Sequence, residues 1–412
     1  MSPPPVCAPP CPRVGPLLGR LFDSLNRSGV RWLVLRGRDR LEAPDGDVDL
    51  LVHPADLSTV SSLATEVGFV GRSAWGRRPH RFMSGYDPEV DRMIELDLVD
   101  EIAFGPHHEL RTETATGVLA RAVPSDGVPV PCPEDAVWLN LIHLLLDKTT
   151  VPIHRIDTAE VPGSTGPVAE LLPASVRRRI TTAMRAGDPE AVRGLGPDVA
   201  DALGGGAGPS VRRFWRRSLR TTVKLQKATV RRGPSLALLG PDGAGKSTLV
   251  AALARSCRPE PHIEYMGVYP RSRRPVRLPG VGLVTTVGRL WTAQARAAVA
   301  RRRGRPVIFD RHPLEAAHVG PPTSGRGRLR RRVLSHTVPR PDHVVVLDAP
   351  VEELLRRKPE HSPDRTAEMR ESYLRLAGSV GARVVDTTEG PEATRRALLT
   401  ELFTSGRTRV PR

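Results

Sequence analysis

Two kinds of hydrophobic spacing alternate along the chain. Leu17, Leu18, Leu21, Phe22 and Leu25 recur at helical intervals across Val14 to Ser28, and Gly29 supplies the stop. Trp32 to Leu35 is instead an unbroken apolar run, which predicts a buried strand ending at Arg36-Gly37. Asp45 to Val52 reads D-G-D-V-D-L-L-V, so a strand there would put Asp47 and Asp49 on one face, where two like charges are costly without a cation between them. Met93 to Val99, M-I-E-L-D-L-V, places Glu95 and Asp97 on one face in the same way. From Glu134 the pattern turns helical. Ala136 to Leu146 reads as an apolar helix that carries Asn140 and His143, and shorter helices are expected around Val168 to Leu172, Ser175 to Arg185 and Val199 to Leu203.

The run Gly204 to Gly208 marks a flexible join. Val211 to Arg232 follows as a strongly basic helix candidate with a partial apolar stripe of Val211, Phe214, Trp215 and Leu219. The pattern then changes to short apolar runs separated by helices: Leu236 to Leu239, His262 to Val268, Val307 to Phe309, His343 to Ala349 and Val384 to Val385 as strands. Between them lie helices from Lys246 to Arg255, within Val281 to Arg302, from Val351 to Arg357, from Thr366 to Ala377 and from Glu392 to Phe403. A polar, basic loop through Lys358, His361, Pro363, Asp364 and Arg365 separates the third helix from the fourth. Such alternation gives a doubly wound parallel sheet. The fold class is therefore α/β for residues 234–404, preceded by an α+β domain with a helical extension over 14–203. Residues 1–13 read as a proline-rich disordered start, 204–233 as linker and basic helix, and 405–412 as a basic tail.

Ser235 to Thr248 carries the strongest chemistry, S-L-A-L-L-G-P-D-G-A-G-K-S-T. Gly240, Gly245, Lys246 and Ser247 complete the spacing G-x-x-x-x-G-K-[ST] between a strand and a helix. Glycines there let backbone N–H groups turn inward around phosphate oxygens, and the following helix adds its positive N-terminal end. The nucleoside triphosphate site so predicted comprises Gly240, Asp242, Gly243, Ala244, Gly245, Lys246, Ser247 and Thr248, with Lys246 on the β/γ-phosphates and the Ser247 hydroxyl on Mg²⁺. Val307 to Phe309 delivers Asp310 and Arg311 at its carboxyl end, the end at which open parallel sheets bind ligands.

Composition narrows the partners. The 412 residues suffice for two domains with their own cores. A net charge of +17 is compatible with nucleic acid or an anionic membrane, but arginine bias and phosphate sites account for it equally well. Aromatic residues are only 4%, and no aromatic-studded basic strand suits single-strand stacking, which leaves nucleic acid a secondary reading. The cysteines at 7, 11, 132 and 257 have neither zinc-site spacing nor the density of a disulfide scaffold, which fits a reducing cytoplasm. The start lacks a signal pattern, and Val137 to Leu146 is too short to span a bilayer. His143 and His154 lie near Asp147 and Asp157; satisfied core histidines are the favoured reading over a metal site. A homodimer is compatible with the sequence.

Two resemblances follow from these residues. G-P-D-G-A-G-K-S-T, V-I-F-D-R, V-V-V-L-D-A-P-V-E-E-L-L-R-R-K and R-x-x-Y (Arg370 to Tyr373) resemble, over residues 234–404, the thymidylate kinase family of P-loop kinases. The resemblance implies phosphoryl transfer from ATP·Mg²⁺ to a small-molecule acceptor: Lys246 and Ser247 on donor and metal, Asp310 assisting the metal or positioning the acceptor, Arg311 on the acceptor's phosphate, Asp242 near its sugar, and lid arginines Arg356, Arg357 and Arg365 closing over the transferring group. Residues 14–110, with Asp47, Asp49 and Asp97, resemble the polymerase-beta-like nucleotidyltransferase superfamily, in which three carboxylates bind two Mg²⁺ ions.

Both depart from pattern. Gly37-Arg38 stands where the second family has Gly-Ser, Tyr265 to Arg274 replaces the kinases' Arg-Glu-Pro-Gly turn, and His312 stands where an aromatic is usual. Tyr265, Tyr269 and Arg271 are candidate acceptor contacts. Three functions compete. One is a kinase acting on a nucleotide, nucleoside or sugar-like molecule, and another is a nucleotidyltransferase using Asp47, Asp49 and Asp97. The third is a nucleotide-gated module whose basic helix engages nucleic acid or a membrane.

Overall fold

The computed structural model describes residues 14–71, 80–105, 110–147, 153–204, 233–268, 281–319 and 325–404. The proline-rich start, the basic helix expected over 211–232 and the tail 405–412 lie outside the described residues. The chain divides into two compact units, Met1–Val67 with Ala74–Met83 and Ile94–Ala228, and Gly68–Ser73 with Ser84–Met93 and Thr229–Arg412. Two short segments of the first half of the sequence therefore group with the second unit. Among the described residues no helix is long and apolar enough to cross a membrane.

The first half of the sequence begins with α1 (Pro16–Arg27), whose helical spacing buries Leu17, Leu18, Leu21, Phe22 and Leu25. Phe22 stacks on Trp32 of β1 (Trp32–Val34) with ring centroids 4.9 Å apart. Next come β2 (Asp47–Val52), α2 (Leu57–Val67), β3 (Val70–Gly71), β4 (His80–Asp87) and β5 (Arg92–Val99), in a sheet of order β1-β2-β5-β4-β3. β1 and β2 are antiparallel, with Leu33 opposite Leu51, whereas β2 and β5 are parallel. Their register sets Asp47 opposite Glu95 and Asp49 opposite Asp97. Two hairpins, β6 (Ala103–Phe104) with β7 (Leu110–Arg111) and β8 (Val123–Ser125) with β9 (Val128–Val130), flank α3 (Ala115–Ala120).

The helical extension contains α4 (Pro133–Asp147), α5 (Ala174–Arg185), α6 (Pro189–Gly194) and α7 (Gly196–Gly204). Trp138 of α4 is fully buried in a core that includes Leu33, Leu51, Val118, Ile142 and Ile180. Its indole N–H donates to Gly163 O at 2.8 Å, satisfying the ring's one polar atom. The helix expected around 168–172 is a single 3₁₀ turn, Ala169–Leu171, because Pro173 follows at once. α6 is too short to show a hydrophobic period; Asp188 starts it by accepting from Ala191 N–H at 2.9 Å.

The second unit is built on five parallel strands, β10 (Ser235–Leu239), β11 (His262–Tyr265), β12 (Val307–Asp310), β13 (His343–Asp348) and β14 (Arg383–Asp386), in the order β11-β12-β10-β13-β14. Every residue of β10 is buried, as the centre of a sheet covered on both faces requires. The connecting helices are α8 (Lys246–Ser256), α9 (Val281–Arg302), α10 (Gly325–Ser335), α11 (Val351–Arg357), α12 (Pro363–Val380) and α13 (Pro391–Thr404). α10, G-R-G-R-L-R-R-R-V-L-S, has no apolar period to announce it and is held by Leu334 and Ser335, both buried. α12 starts three residues earlier than its apolar pattern suggests, because Ser362 caps it and Pro363 occupies its first position. Asp364 and Arg365, expected in a loop, thus stand in its first turn.

Trp138→Ala should destabilise the first unit by about 3–5 kcal/mol through the cavity and the orphaned Gly163 carbonyl, measured by urea unfolding. A loss below about 1 kcal/mol would show that this residue does not anchor the helical extension.

Candidate active site

The order of the parallel sheet reverses at β10, whose neighbours are β12 on one side and β13 on the other. A crevice forms at the carboxyl end of such a strand, and the chain leaves β10 there as the glycine-rich loop expected to bind phosphate. Its glycines are required by space as well as conformation. Gly243 has φ +87°, and a Cβ there would lie 2.5 Å from Leu354 O of α11; at Gly240 it would lie 2.5 Å from Leu347 O of β13. The cradle is therefore pressed against both following elements, and α8 opens from it with Ser247 and Thr248 exposed.

Lys246 is 8% exposed, and its ammonium donates to Gly240 O and Pro241 O, both at 2.7 Å. Burial, with the nearby Arg311 charge, lowers its pKa to about 8, against the opposing pull of Asp242, Glu315 and Asp310. Parallel pairing sets Leu238 of β10 and Tyr265 of β11 opposite Asp310 of β12. Asp310 is thereby held, 8% exposed, beside the loop. The next residue, Arg311, has φ +66° and donates its own N–H to Leu238 O at 3.2 Å. That turn aims its guanidinium back at the loop, 2.8 Å from Asp242 Oδ1. Burial opposes ionisation of Asp242, yet Lys246, Arg311, Lys358 and His361 together hold its carboxyl below the usual range.

A cavity of about 550 Å³ results, walled by Asp242, Lys246, Ser247, Asp310 and Arg311, with Tyr265 from β11 and with Arg357 and Lys358 from the end of α11. Arg356, Arg357 and Arg365, expected together as lid arginines, stand apart in the structure. Arg357 lines the cavity, anchored to Glu353 and Thr387. Arg356 points outward in a bidentate pair with Glu353. Arg365 pairs with Glu368 and lines a different groove, between α10 and α12. Lys358 is a wall residue that the arginine pattern drew attention away from. Tyr269 and Arg271 lie outside the described residues. His312 is fully buried, accepts from Leu314 N–H at 3.3 Å and packs edge-on against Phe309, so it serves the turn and not the cavity.

The acidic face of the first unit is charge-compensated. Arg36, at the end of β1, lies 3.3 Å from Asp49 Oδ2, and His80 Nδ1 lies 2.5 Å from Asp97 Oδ2. Burial raises the Asp49 pKa, Arg36 counters it, and Asp97 and Asp47 add to the rise. Asp97 Oδ1 is buried without a hydrogen-bond partner among the described residues. Neither Arg36 nor His80 is signalled in the sequence, since only the sheet brings them to the aspartates. Arg38 turns away and pairs with Asp126 at 2.8 Å. Asp47, Asp49 and Asp97 do not all bring ligand atoms within 4.8 Å of one another, whereas Asp242, Glu360 and His361 do. As arranged, Asp49 has the Arg36 guanidinium as its partner and Asp97 the His80 ring. His143 pairs with Asp147, and His154 is exposed on a separate 3₁₀ turn, which leaves no joint ligand set.

No protein-family model matches the chain, and no curated protein matches it. Solved structures that resemble it include a thymidylate kinase from Candida albicans, 16% identical, covering 42% of this chain and 92% of that one with a TM-score of 0.34. A deoxyadenosine kinase from M. mycoides with dATP bound is 14% identical, covering 41% of this chain and 98% of that one with a TM-score of 0.29. The same enzyme with dCMP and dCDP gives 14%, 41%, 97% and 0.29.

The Lys246 pKa gives a pH test. A lysine whose folded pKa lies below its unfolded value costs stability while it is forced to stay charged, so the cost is full below about pH 8 and vanishes as pH rises to 10.5. Nucleotide-free wild type should therefore gain about 3 kcal/mol on Lys246→Met between pH 8 and 10.5 in urea unfolding. A stability difference that stays flat over that window would contradict the buried, charge-strained lysine.

Proposed function

We propose that the second unit is an ATP-dependent kinase whose acceptor is a small molecule bearing a phosphate, in the manner of a nucleoside monophosphate kinase. Arg311 is the observation that supports this most: a cation stands across the phosphate loop from Lys246, fixed 2.8 Å from Asp242. In this reading an acceptor phosphate oxygen forms the new bond to the γ-phosphorus. The bond from that phosphorus to the β,γ-bridging oxygen breaks, and ADP leaves with the electron pair. A phosphate oxygen is already an anionic nucleophile. It needs a cation to hold it, whereas a hydroxyl acceptor needs a base to deprotonate it.

The donor side follows from the loop. Lys246 would leave the Gly240 and Pro241 carbonyls for the β/γ-phosphates, and backbone N–H groups of the cradle would take the remaining phosphate oxygens. The Ser247 hydroxyl and the Asp310 carboxylate are hard oxygen donors next to that position, which suits Mg²⁺. That ion, when bound, supplies charge neutralisation on the donor. Arg357 and Lys358 add cations on the lid side, while Arg356 and Arg365 would first have to leave Glu353 and Glu368. Positioning and charge, without a protein nucleophile, are sufficient for this chemistry. The two described cysteines, Cys132 and Cys257, are free and buried, which suits the cytoplasmic location we propose.

A second activity, nucleotidyl transfer at Asp47, Asp49 and Asp97, is favoured by one observation, the pairing of Asp49 with Asp97 across β2 and β5. It would require Arg36 and His80 to give way to metal.

ADP formation from ATP·Mg²⁺ should appear with at least one compound in a screen of nucleoside monophosphates, nucleosides and sugar phosphates. Lys246→Ala should lower it at least about a hundredfold. Turnover that survives Lys246→Ala would sink the kinase reading. Pyrophosphate release that survives this change and is lost in Asp47→Ala/Asp49→Ala would transfer the activity to the first unit.

A further inference from the structure

Arg311 has more partners than an acceptor-binding arginine needs. Its guanidinium touches Asp242 on one side, and on the other its Nη1 donates to the Tyr373 hydroxyl at 3.2 Å and lies 3.6 Å from Glu315 Oε1. Tyr373 in turn donates to Glu315 Oε2 at 3.0 Å. The three side chains form a closed triangle behind the cavity wall.

The parts of this triangle come from rigid places. Glu315 sits on the 3₁₀ turn Pro313–Ala317 that immediately follows Arg311, and is 7% exposed. Tyr373 is 1% exposed, its ring packed with Leu239, Val346, Leu376 and Ala377. One turn earlier on α12, Arg370 makes a bidentate pair with Asp348 at the end of β13, at 2.8 Å for both bonds. The R-x-x-Y pair therefore has two separate tasks: Arg370 fixes α12 to the sheet, and Tyr373 reaches the cavity wall from that fixed helix. Neither Tyr373 nor Glu315 lines the cavity, and both reach it through Arg311.

A buried carboxylate against a guanidinium is poor as a source of stability, because desolvating both charges cancels most of the attraction. It is well suited to orientation. An unrestrained arginine has many rotamers to lose when a phosphate arrives, whereas one already held by three partners has lost them in advance. Glu315 also balances the charge of an arginine that stands close enough to Lys246 to oppose its protonation.

We propose that Glu315 and Tyr373 are positioning residues for phosphoryl transfer, holding the Arg311 guanidinium at the phosphate loop before the acceptor binds. This rests on the kinase reading, in which Arg311 takes the acceptor's phosphate.

The test uses two isosteric variants of the full chain, Glu315→Gln and Tyr373→Phe, with ATP·Mg²⁺ and AMP, CMP, GMP, UMP or dTMP as acceptor. Each variant should lower kcat/KM for the acceptor about tenfold while the KM for ATP stays within about twofold. The double variant should be no worse than the more impaired single one, and Glu315→Gln should add nothing to Arg311→Ala, since all act through one guanidinium. Unchanged acceptor kinetics, or equal losses for ATP and acceptor, would overturn the proposal. If wild type makes no ADP from these acceptors, the monophosphate reading fails by itself, and NMR of ¹⁵N-arginine protein decides the clamp. The Arg311 guanidinium signals, assigned by their loss in Arg311→Lys, should show slow Cζ–Nη rotation in wild type and averaging in both variants. Averaged signals in wild type would overturn the proposal.

Discussion

The pairing of β10 with β12 governs the rest of the candidate site. Because the two strands are parallel and in the register that sets Leu238 opposite Asp310, the phosphate loop and the Asp310-Arg311 pair leave the sheet at the same level. A shift by one residue would turn Asp310 to the opposite face and remove Arg311 from Asp242. The backbone bond from Arg311 N–H to Leu238 O locks that level, at the cost of a left-handed conformation in a residue with a side chain. Strain at this point is tolerable because burial of β10 and β12 on both faces leaves the register no freedom.

Charge is arranged around this frame so that the cations of the cavity each stand against a partner. Lys246 lies against the loop's own carbonyls, Arg311 is shared between Asp242 and Glu315, and Arg357 is tied to Glu353 and Thr387. Each cation thus has an anionic or carbonyl partner, and a polyanionic ligand would exchange partners instead of neutralising isolated charges. Buried charge pairs of this kind contribute little net stability and much orientation. In the first unit Asp49 and Asp97 are crowded by the parallel pairing of β2 and β5; the Arg36 guanidinium lies against Asp49, and the His80 ring is hydrogen-bonded to Asp97.

The sequence pattern was legible where one element carries its own signal. The apolar run of β10, the glycine spacing and Lys246-Ser247 are contiguous, so the strand, turn and helix start there follow from a single stretch of chain. β12 and its Asp310-Arg311 terminus are likewise local. α1, α4 and α9 show periods long enough to be read, and α6 and α10 do not. The D-x-D strand is local too, although what lies beside it is not.

The cavity-facing residues of α11 and the counter-charges were not legible, for one reason. Arg356, Arg357 and Arg365 are chemically equivalent in sequence, and only the cap at Ser362 and the direction of α11 decide that Arg357 and Lys358 face the cavity while the others face solvent or a separate groove. Tyr373 and Arg311 are 62 positions apart and meet because α12 is pinned to β13 by Arg370 and Asp348. Arg36, His80 and Glu315 carry no motif at all. The sequence by itself determined the glycine-rich turn after β10, the parallel α/β character of the second half and the residues that end its strands, because each is set by bonding and sterics between near neighbours. Tertiary structure alone decided which charges stand together, since that depends on strand register and helix docking between segments tens of residues apart.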